Sequence, residues 1–192
     1  MVLGRDARHA AARDEILRAC RELAGEHGLS GFTLRQVAAA VGIQAPSLYS
    51  YFASKNDIYD ALFRSDAEVF DATMAAISSR GTARTRLRAA ARAYLEFCVD
   101  DPVRHQLLFQ RTLPGFEPSA ESYAPAIAAW GRMRDAFSEI GIVEARHLDL
   151  WTALLAGLAA QQLANDPGGS RWSSLADEAA DMFLAHVDDD AR

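Results

Sequence analysis

Apolar residues recur at helical spacing along nearly the whole chain, and the breaks between stripes fall at glycine, proline or a capping residue. From about Arg13, residues Ile16, Leu17, Cys20, Leu23 and Ala24 make one amphipathic stripe that Gly28 stops. Residues 1–11 carry no such period and are expected to be a frayed arm. Thr33 and Gln36 have the spacing of a capping box and open a second helix whose narrow apolar face is Leu34, Val37, Ala38 and Val41. Gly42 falls where a left-handed residue would end that helix, and Ile43 follows as a plug. Pro46 suits the first turn of a third helix, with Leu48 and Phe52 as its buried side. Two short helices and a tight turn make a helix-turn-helix. Ser54 and Asp57 repeat the capping-box spacing before a long helix from Lys55 to about Ile77. That helix has two apolar sides, Ile58, Leu62, Val69 and Thr73 on one and Tyr59, Phe63, Phe70, Met74 and Ile77 on the other. Two such sides need two neighbours.

After a break at Ser78–Thr82, a helix from about Ala83 to Val99 places Leu87, Ala91, Tyr94, Leu95 and Cys98 inside. Its arginines Arg84, Arg86, Arg88 and Arg92 read as a charged outer face or a second nucleic-acid patch. Asp100-Asp101-Pro102 begins a short helix through Leu107, Leu108 and Phe109. Thr112 to Ser122, with Pro114, Gly115 and Pro118, reads as a loop of the kind that often gates or binds. Helices from about Ala124 to Ile140, Val143 to Ala164 and Ser174 to Val187 follow, and Asp188-Asp189-Asp190 reads as a solvated tail. The second of these is nearly apolar all round from Leu148 to Leu163, so it must be covered on every side. One subunit covers one face and a second copy the other. Trp151, Leu154, Leu155, Leu158, Leu175, Met182 and Phe183 are therefore expected in a four-helix bundle across a two-fold axis of a homodimer.

Composition agrees with an all-α fold: half of the 192 residues are hydrophobic, alanine is abundant and β-branched runs are almost missing. Cys20 and Cys98 lie on apolar faces with no CxxC or Cys/His cluster, so both read as core hydrophobes, and neither metal nor cofactor is expected. No signal-peptide run stands at the amino end, and no stretch reaches the ~20 apolar residues that cross a bilayer, so a cytoplasmic location away from any membrane is expected. Esterase-elbow, zinc-protease, P-loop and dinucleotide signatures are all missing, which argues against an enzyme. The five histidines are scattered; His105 or His147 could face a cavity or simply be satisfied in a helix. Net charge is −6, but up to Asn56 seven basic side chains stand against five acidic ones, a balance of +2 that leaves −8 to the rest. A small cationic head on an acidic body suits a duplex partner at one end only.

The polar residues left over on the third helix are Gln44, Ser47, Tyr49, Ser50 and Tyr51, a face of short side chains and two phenols that fits a groove. Lys55, the only lysine of the chain, stands in the first turn of its helix, where the macrodipole disfavours a cation and an external anion would explain it. Over roughly Ile16 to Leu62 the chain resembles the TetR family of bacterial transcriptional regulators, through its Thr-Leu-Arg-Gln-Val-Ala start, Gly42, the run Ser47-Leu48-Tyr49-Ser50-Tyr51-Phe52 and Ser54-Lys55-Asn56-Asp57. The resemblance implies that Thr33, Tyr49, Tyr51 and Lys55 hold phosphates of a double-stranded DNA operator, while Arg35, Gln44, Ala45, Ser47 and Ser50 lie at or near bases. Ser50 departs from the family, being small where an aromatic is common. Residues 1–56 would be the DNA-binding domain with its arm, whose Arg5 and Arg8 either reach the backbone or are solvated, and residues 57–192 the ligand-binding and dimerisation domain.

The body carries more aromatic and sulfur-bearing residues than a bundle needs, which implies a pocket for a small, largely apolar effector. Tyr94, Phe97, Phe109, Phe116, Tyr123, Trp130, Met133, Phe137 and Trp151 are its candidate walls, with Gln106, Arg134 and Gln161 as polar anchors. The expected function is a repressor released from a palindromic operator by that effector. The alternative is a helical ligand- or protein-binding module in which the motif is only scaffold.

Overall fold

The computed structural model describes residues 4–190. Among these, every regular element is helical: α1 (Arg5–His27), α2 (Leu34–Ala40), α3 (Ala45–Leu48), α4 (Lys55–Ala75), α5 (Ala83–Asp100), α6 (Pro102–Phe109), α7 (Ala120–Ser138), α8 (Ala145–Asn165), a 3₁₀ turn (Ser173–Leu175) and α9 (Ala176–Asp190). Packing divides the chain into two compact units. The first holds the chain up to Asp66 together with Val103–Tyr123, and the second holds Ala67–Pro102 with Ala124 onward. The division falls inside α4, after Asp66.

In the first unit, Ile16, Cys20, Leu29, Phe32, Val37, Leu48, Phe52, Ile58 and Leu62 form the core, each nearly sealed from solvent. Leu17, Leu23, Leu34, Val41 and Ile43 surround it half-buried. Helix α1 begins at Arg5, so the expected frayed arm is helical from there on: Gly4 accepts from the amide of Arg8 at 3.1 Å, and His9 stacks on Tyr51 with ring centroids 4.8 Å apart. Residues 1–3 of that arm, and the side chain of Arg5, lie outside the described part. Burial of α4 alternates as the two-sided stripe requires as far as Phe63, and then includes a charge, Asp66, 2% exposed. Its carboxylate takes Arg21 of α1 at 2.6 Å and lies 3.5 Å from Arg104 of α6. A buried carboxylate needs such partners, and removing either guanidinium would leave a costly charge.

Helix α7 starts four residues before its expected Ala124. Ser119 caps it, accepting from the amide of Ser122 at 3.2 Å, and the carboxylate of Asp60 accepts from the Ser119 amide at 2.6 Å and the Ser122 hydroxyl at 2.7 Å. These bonds outweigh the ladder bond that Pro125 removes in the second turn.

In the second unit, α5 lies against α8 and α9, and Phe137, Trp151 and Phe183 interlock with centroids 5.1–5.9 Å apart. The expected outer arginines of α5 are instead a seam of ion pairs. Arg88 grips Asp181 at 2.9 Å, Arg92 takes Asp177 at 2.5 Å and Arg86 takes Glu139 at 2.7 Å, so these arginines are matched by acids of this chain. Val69, expected inside, is exposed. The expected solvated tail is the end of α9, where Asp190 accepts from Arg146 and pairs with His147. Cys20 and Cys98 are buried and unbridged, as read from the sequence. No helix among the described residues is long and apolar enough to cross a membrane.

Candidate nucleic-acid interface

The motif is assembled by local bonds that the sequence announces. The hydroxyl of Thr33 accepts from the amide of Gln36 at 3.3 Å and the Gln36 side chain accepts from the Thr33 amide at 2.8 Å, closing the capping box of α2. At its other end the amides of Gly42 and Ile43 reach back to the carbonyls of Ala39 and Ala38 at 3.2 and 2.9 Å, with Gly42 at φ +71°. This is a Schellman ending, and its left-handed residue turns the chain into α3. Ser54 and Asp57 close a second reciprocal box at the start of α4, with bonds of 3.1 and 3.2 Å.

This frame leaves α3 with Leu48 buried inside and a polar outer surface. Gln44 is the N-cap residue, its side chain unused in the cap, and Ala45 and Pro46 follow in the first turn. Gln44, Ser47 and Arg35 are exposed and Tyr49 is 54% exposed, and none of the four side chains has a hydrogen-bond partner among the described residues. Ser50 turns its hydroxyl back to the carbonyl of Ser47 at 2.7 Å, so its donor is already in use. Tyr51 is half-buried under the His9 ring, and its carbonyl accepts from Arg13. Thr33 spends its hydroxyl in the capping box.

Lys55 differs from its expected setting. Its ammonium donates to the carbonyls of Phe32 at 2.6 Å and Ser30 at 3.2 Å and stands 3.9 Å above the Phe32 ring. The charge that the helix start disfavours is thus met inside the protein by the carbonyls of the α1–α2 turn. Burial holds its pKa below the usual lysine value, against a smaller opposing pull from Cys20. The same desolvation pushes the Cys20 thiol up to about 12, which makes it inert as a nucleophile.

A pocket of about 300 Å³ also belongs to the first unit. Leu107 and Leu108 of α6, Phe63 of α4, and Leu113, Phe116 and Pro118 of the following loop give it an apolar wall, with Gln106, Arg111, Thr112 and Glu117 as polar points and Tyr123 at the edge. Arg111 turns the chain out of α6 at φ +44°, a conformation that a side chain other than glycine adopts at a cost. Of the expected walls and anchors, Phe116, Tyr123 and Gln106 line this pocket. Tyr94 and Phe97 pack on Phe70, and Phe137 and Trp151 on Phe183, all in the core of the second unit. Trp130 and Phe109 are exposed, Met133 is half-buried, Arg134 is exposed 3.8 Å from Asp135, and Gln161 accepts from Asn165 at 2.7 Å on the surface. Aromatic content alone does not separate wall from core. The better signal was the Pro/Gly-bearing loop after α6, which supplies five of the lining residues beyond Arg111.

The expected subunit contact divides likewise. Trp151, Leu155 and Phe183 are 2–4% exposed within their own chain and have no surface to offer; Leu154 and Leu158 are half-buried, and Leu175 and Met182 are exposed.

Comparison with known proteins agrees with this geometry. Residues 16–62 match the family of bacterial regulatory proteins, tetR family. The HTH-type transcriptional activator FasR of Mycolicibacterium smegmatis is 28% identical over 99 residues, 51% of this chain and 45% of that protein. The chain thus spans about half the length of curated relatives of this kind. The putative regulatory protein SCO4313 has the same fold, with a TM-score of 0.78 at 21% identity over 95% of this chain and 100% of that one. AibR, solved in complex with isovaleryl coenzyme A and operator DNA, gives a TM-score of 0.70 at 15% identity over 88% of this chain and 96% of that one. The stretch matched by the tetR family of bacterial regulatory proteins, residues 16–62, is the one that holds both capping boxes, the Gly42 turn and α3.

Proposed function

We propose that the chain is a transcriptional regulator that binds an operator as a homodimer, represses from it, and is released by a small, largely apolar effector. Residues 1–56 read DNA and residues 57–192 hold the effector and the partner subunit, in the cytoplasm. The observation that carries this reading is the outer surface of α3 and its surroundings. The side chains of Gln44, Ser47 and Tyr49, within or capping α3, and of Arg35 on α2 stay uncommitted among the described residues, while Leu48 locks the opposite side of α3 into the core. Free polar groups on a rigid frame are what base edges and phosphates need. Two such helices related by a two-fold axis would enter successive major grooves about 34–36 Å apart. Ala45 and Ser50 lie along the same surface, while Thr33, Tyr51 and Lys55 position the backbone that would meet phosphates.

The pocket supports the effector part. Its volume of about 300 Å³ and leucine- and phenylalanine-rich wall suit an apolar group with one polar end. AibR carries an acyl coenzyme A and operator DNA in one complex, on a similar fold. Phe116 of the wall meets Tyr59 edge to face at 5.6 Å, and the Tyr59 hydroxyl donates to the carbonyl of Leu29, just after the Gly28 cap that ends α1. An occupant that moves Phe116 would therefore be felt at the turn leading into the reading motif.

Anisotropy titration of labelled duplex from upstream of the chain's own gene tests the reading. The expected result is a dissociation constant of roughly 10⁻⁸ M or tighter that weakens steeply with salt. Gln44→Ala should change the preference among sequences, whereas Tyr49→Phe should weaken all of them alike. Weak binding indifferent to sequence would favour the module in which the motif is scaffold.

A further inference from the structure

The second unit brings two of the scattered histidines to one carboxylate. His147 lies in the first turn of α8, and His186 and Asp190 stand one turn apart on the last part of α9. His147 Nε2 is 3.1 Å from Asp190 Oδ2, the two imidazoles stand edge to face with centroids 6.0 Å apart, and one ligand atom from each of the three residues lies within 4.8 Å of the other two. His147 is buried with its ring against Phe183, which fixes its plane, while His186 and Asp190 are exposed and leave the cluster open on one side.

We infer that this cluster binds a divalent transition ion of the Zn²⁺ type, with His147, His186 and Asp190 as protein ligands and water in the fourth place. Two imidazoles and one carboxylate are a donor set that zinc takes. Ligand atoms ~2.0–2.2 Å from a tetrahedral zinc stand about 3.3–3.6 Å apart, so the His147–Asp190 pair needs only a few tenths of an ångström and His186 a small turn of its exposed side chain. The ion would stand between His147 Nε2 and Asp190 Oδ2 in place of their direct 3.1 Å contact. Arg146, which also reaches Asp190, keeps its second partner Glu144 at 2.7 Å and can give way to the metal. The C-terminal end of α9 and the neighbouring Asp188 and Asp189 add favourable charge for a cation. Bound there, the ion ties the start of α8 to the end of α9. This rests on those two helices alone and does not depend on the DNA-binding reading.

Calorimetric titration of the tag-free full chain with Zn²⁺ alone, in a buffer that does not chelate, is the test. The expected result is one site per chain and a rise in Tm on saturation. His186→Ala and Asp190→Asn, both at exposed positions, should keep the helical dichroism and each weaken binding more than about 10-fold, the loss that removal of an outer partner alone can cause. His27→Ala, an exposed histidine of α1, should leave affinity unchanged. Co²⁺ in place of Zn²⁺ should give visible d–d bands that His186→Ala abolishes. Failure to bind stoichiometrically, or equal affinity in His186→Ala and the unaltered chain, would overturn the site.

Discussion

The ammonium of Lys55 donates to the carbonyl of Phe32 at 2.6 Å while standing 3.9 Å above the ring of the same residue. One side chain thus fastens the start of α4 to the residue that precedes the Thr33 cap. Lys55→Met keeps the aliphatic stem and loses two charge-assisted bonds, so it should lower unfolding free energy by about 1–3 kcal/mol, read as a shift of the urea midpoint at unchanged slope. Operator affinity should fall with it, because the α1–α2 turn sets where α2 begins. Weaker DNA binding at an unchanged midpoint would mean that the lysine serves an outside phosphate and not this turn.

The reading motif was legible in the sequence because its signals are local. A capping box spans three residues and a Schellman ending needs one glycine, so Thr33, Gln36, Gly42, Ser54 and Asp57 announce their bonds without knowledge of the rest. The partners of Lys55 and Asp66 are of another kind. Arg21 is 45 positions from Asp66, and Ser30 is 25 from Lys55, and no periodicity encodes which distant cation or carbonyl a buried charge will find. The same holds for the pocket and the bundle. Trp151 and Phe183 read as interface or wall by composition, and only packing assigns them to the core.

Asp60 ties α4 to the start of α7 and should appear in the acid limb of stability. Burial raises its pKa, but the bonds from the Ser119 amide and the Ser122 and Ser119 hydroxyls, with Arg64 nearby, outweigh this and hold it below the usual carboxylate value. A carboxylate with a lowered folded pKa contributes stability that is fully present above the unfolded value of ~3.9 and is lost as pH falls through the folded one. Urea midpoints of the unaltered chain should therefore fall more steeply below about pH 4 than those of Asp60→Asn, which should be less stable at pH 7 and nearly equal in acid. Parallel curves for the two proteins would remove Asp60 from that role.

The subunit contact is best tested where surface remains. Leu150 is 47% exposed on α8 and Met182 59% on α9, whereas an arginine at Leu155 would enter the protomer's own core and unfold it. Leu150→Arg combined with Met182→Arg should preserve helical dichroism and yield a species of half the mass in sedimentation. Operator binding should weaken by roughly 10²–10⁴-fold as the second head is lost. Retained mass with both arginines in place would move the interface elsewhere.

Coupling between pocket and motif can be measured without knowing the effector. Leu108→Trp places bulk in the pocket of about 300 Å³ and should mimic an occupant, weakening binding to the upstream duplex. If the effect travels through the edge of Phe116 on Tyr59, then Phe116→Ala, which opens that contact, should absorb it. The double variant should then bind DNA nearly as Phe116→Ala alone does, a coupling of about 1–2 kcal/mol in the cycle. Tyr59→Phe keeps the ring contacts with Phe32 and Phe116 but removes the bond to Leu29, and should blunt the Leu108→Trp effect only in part. Strict additivity of Leu108→Trp with both variants would mean that the pocket does not speak to α2 through this tyrosine.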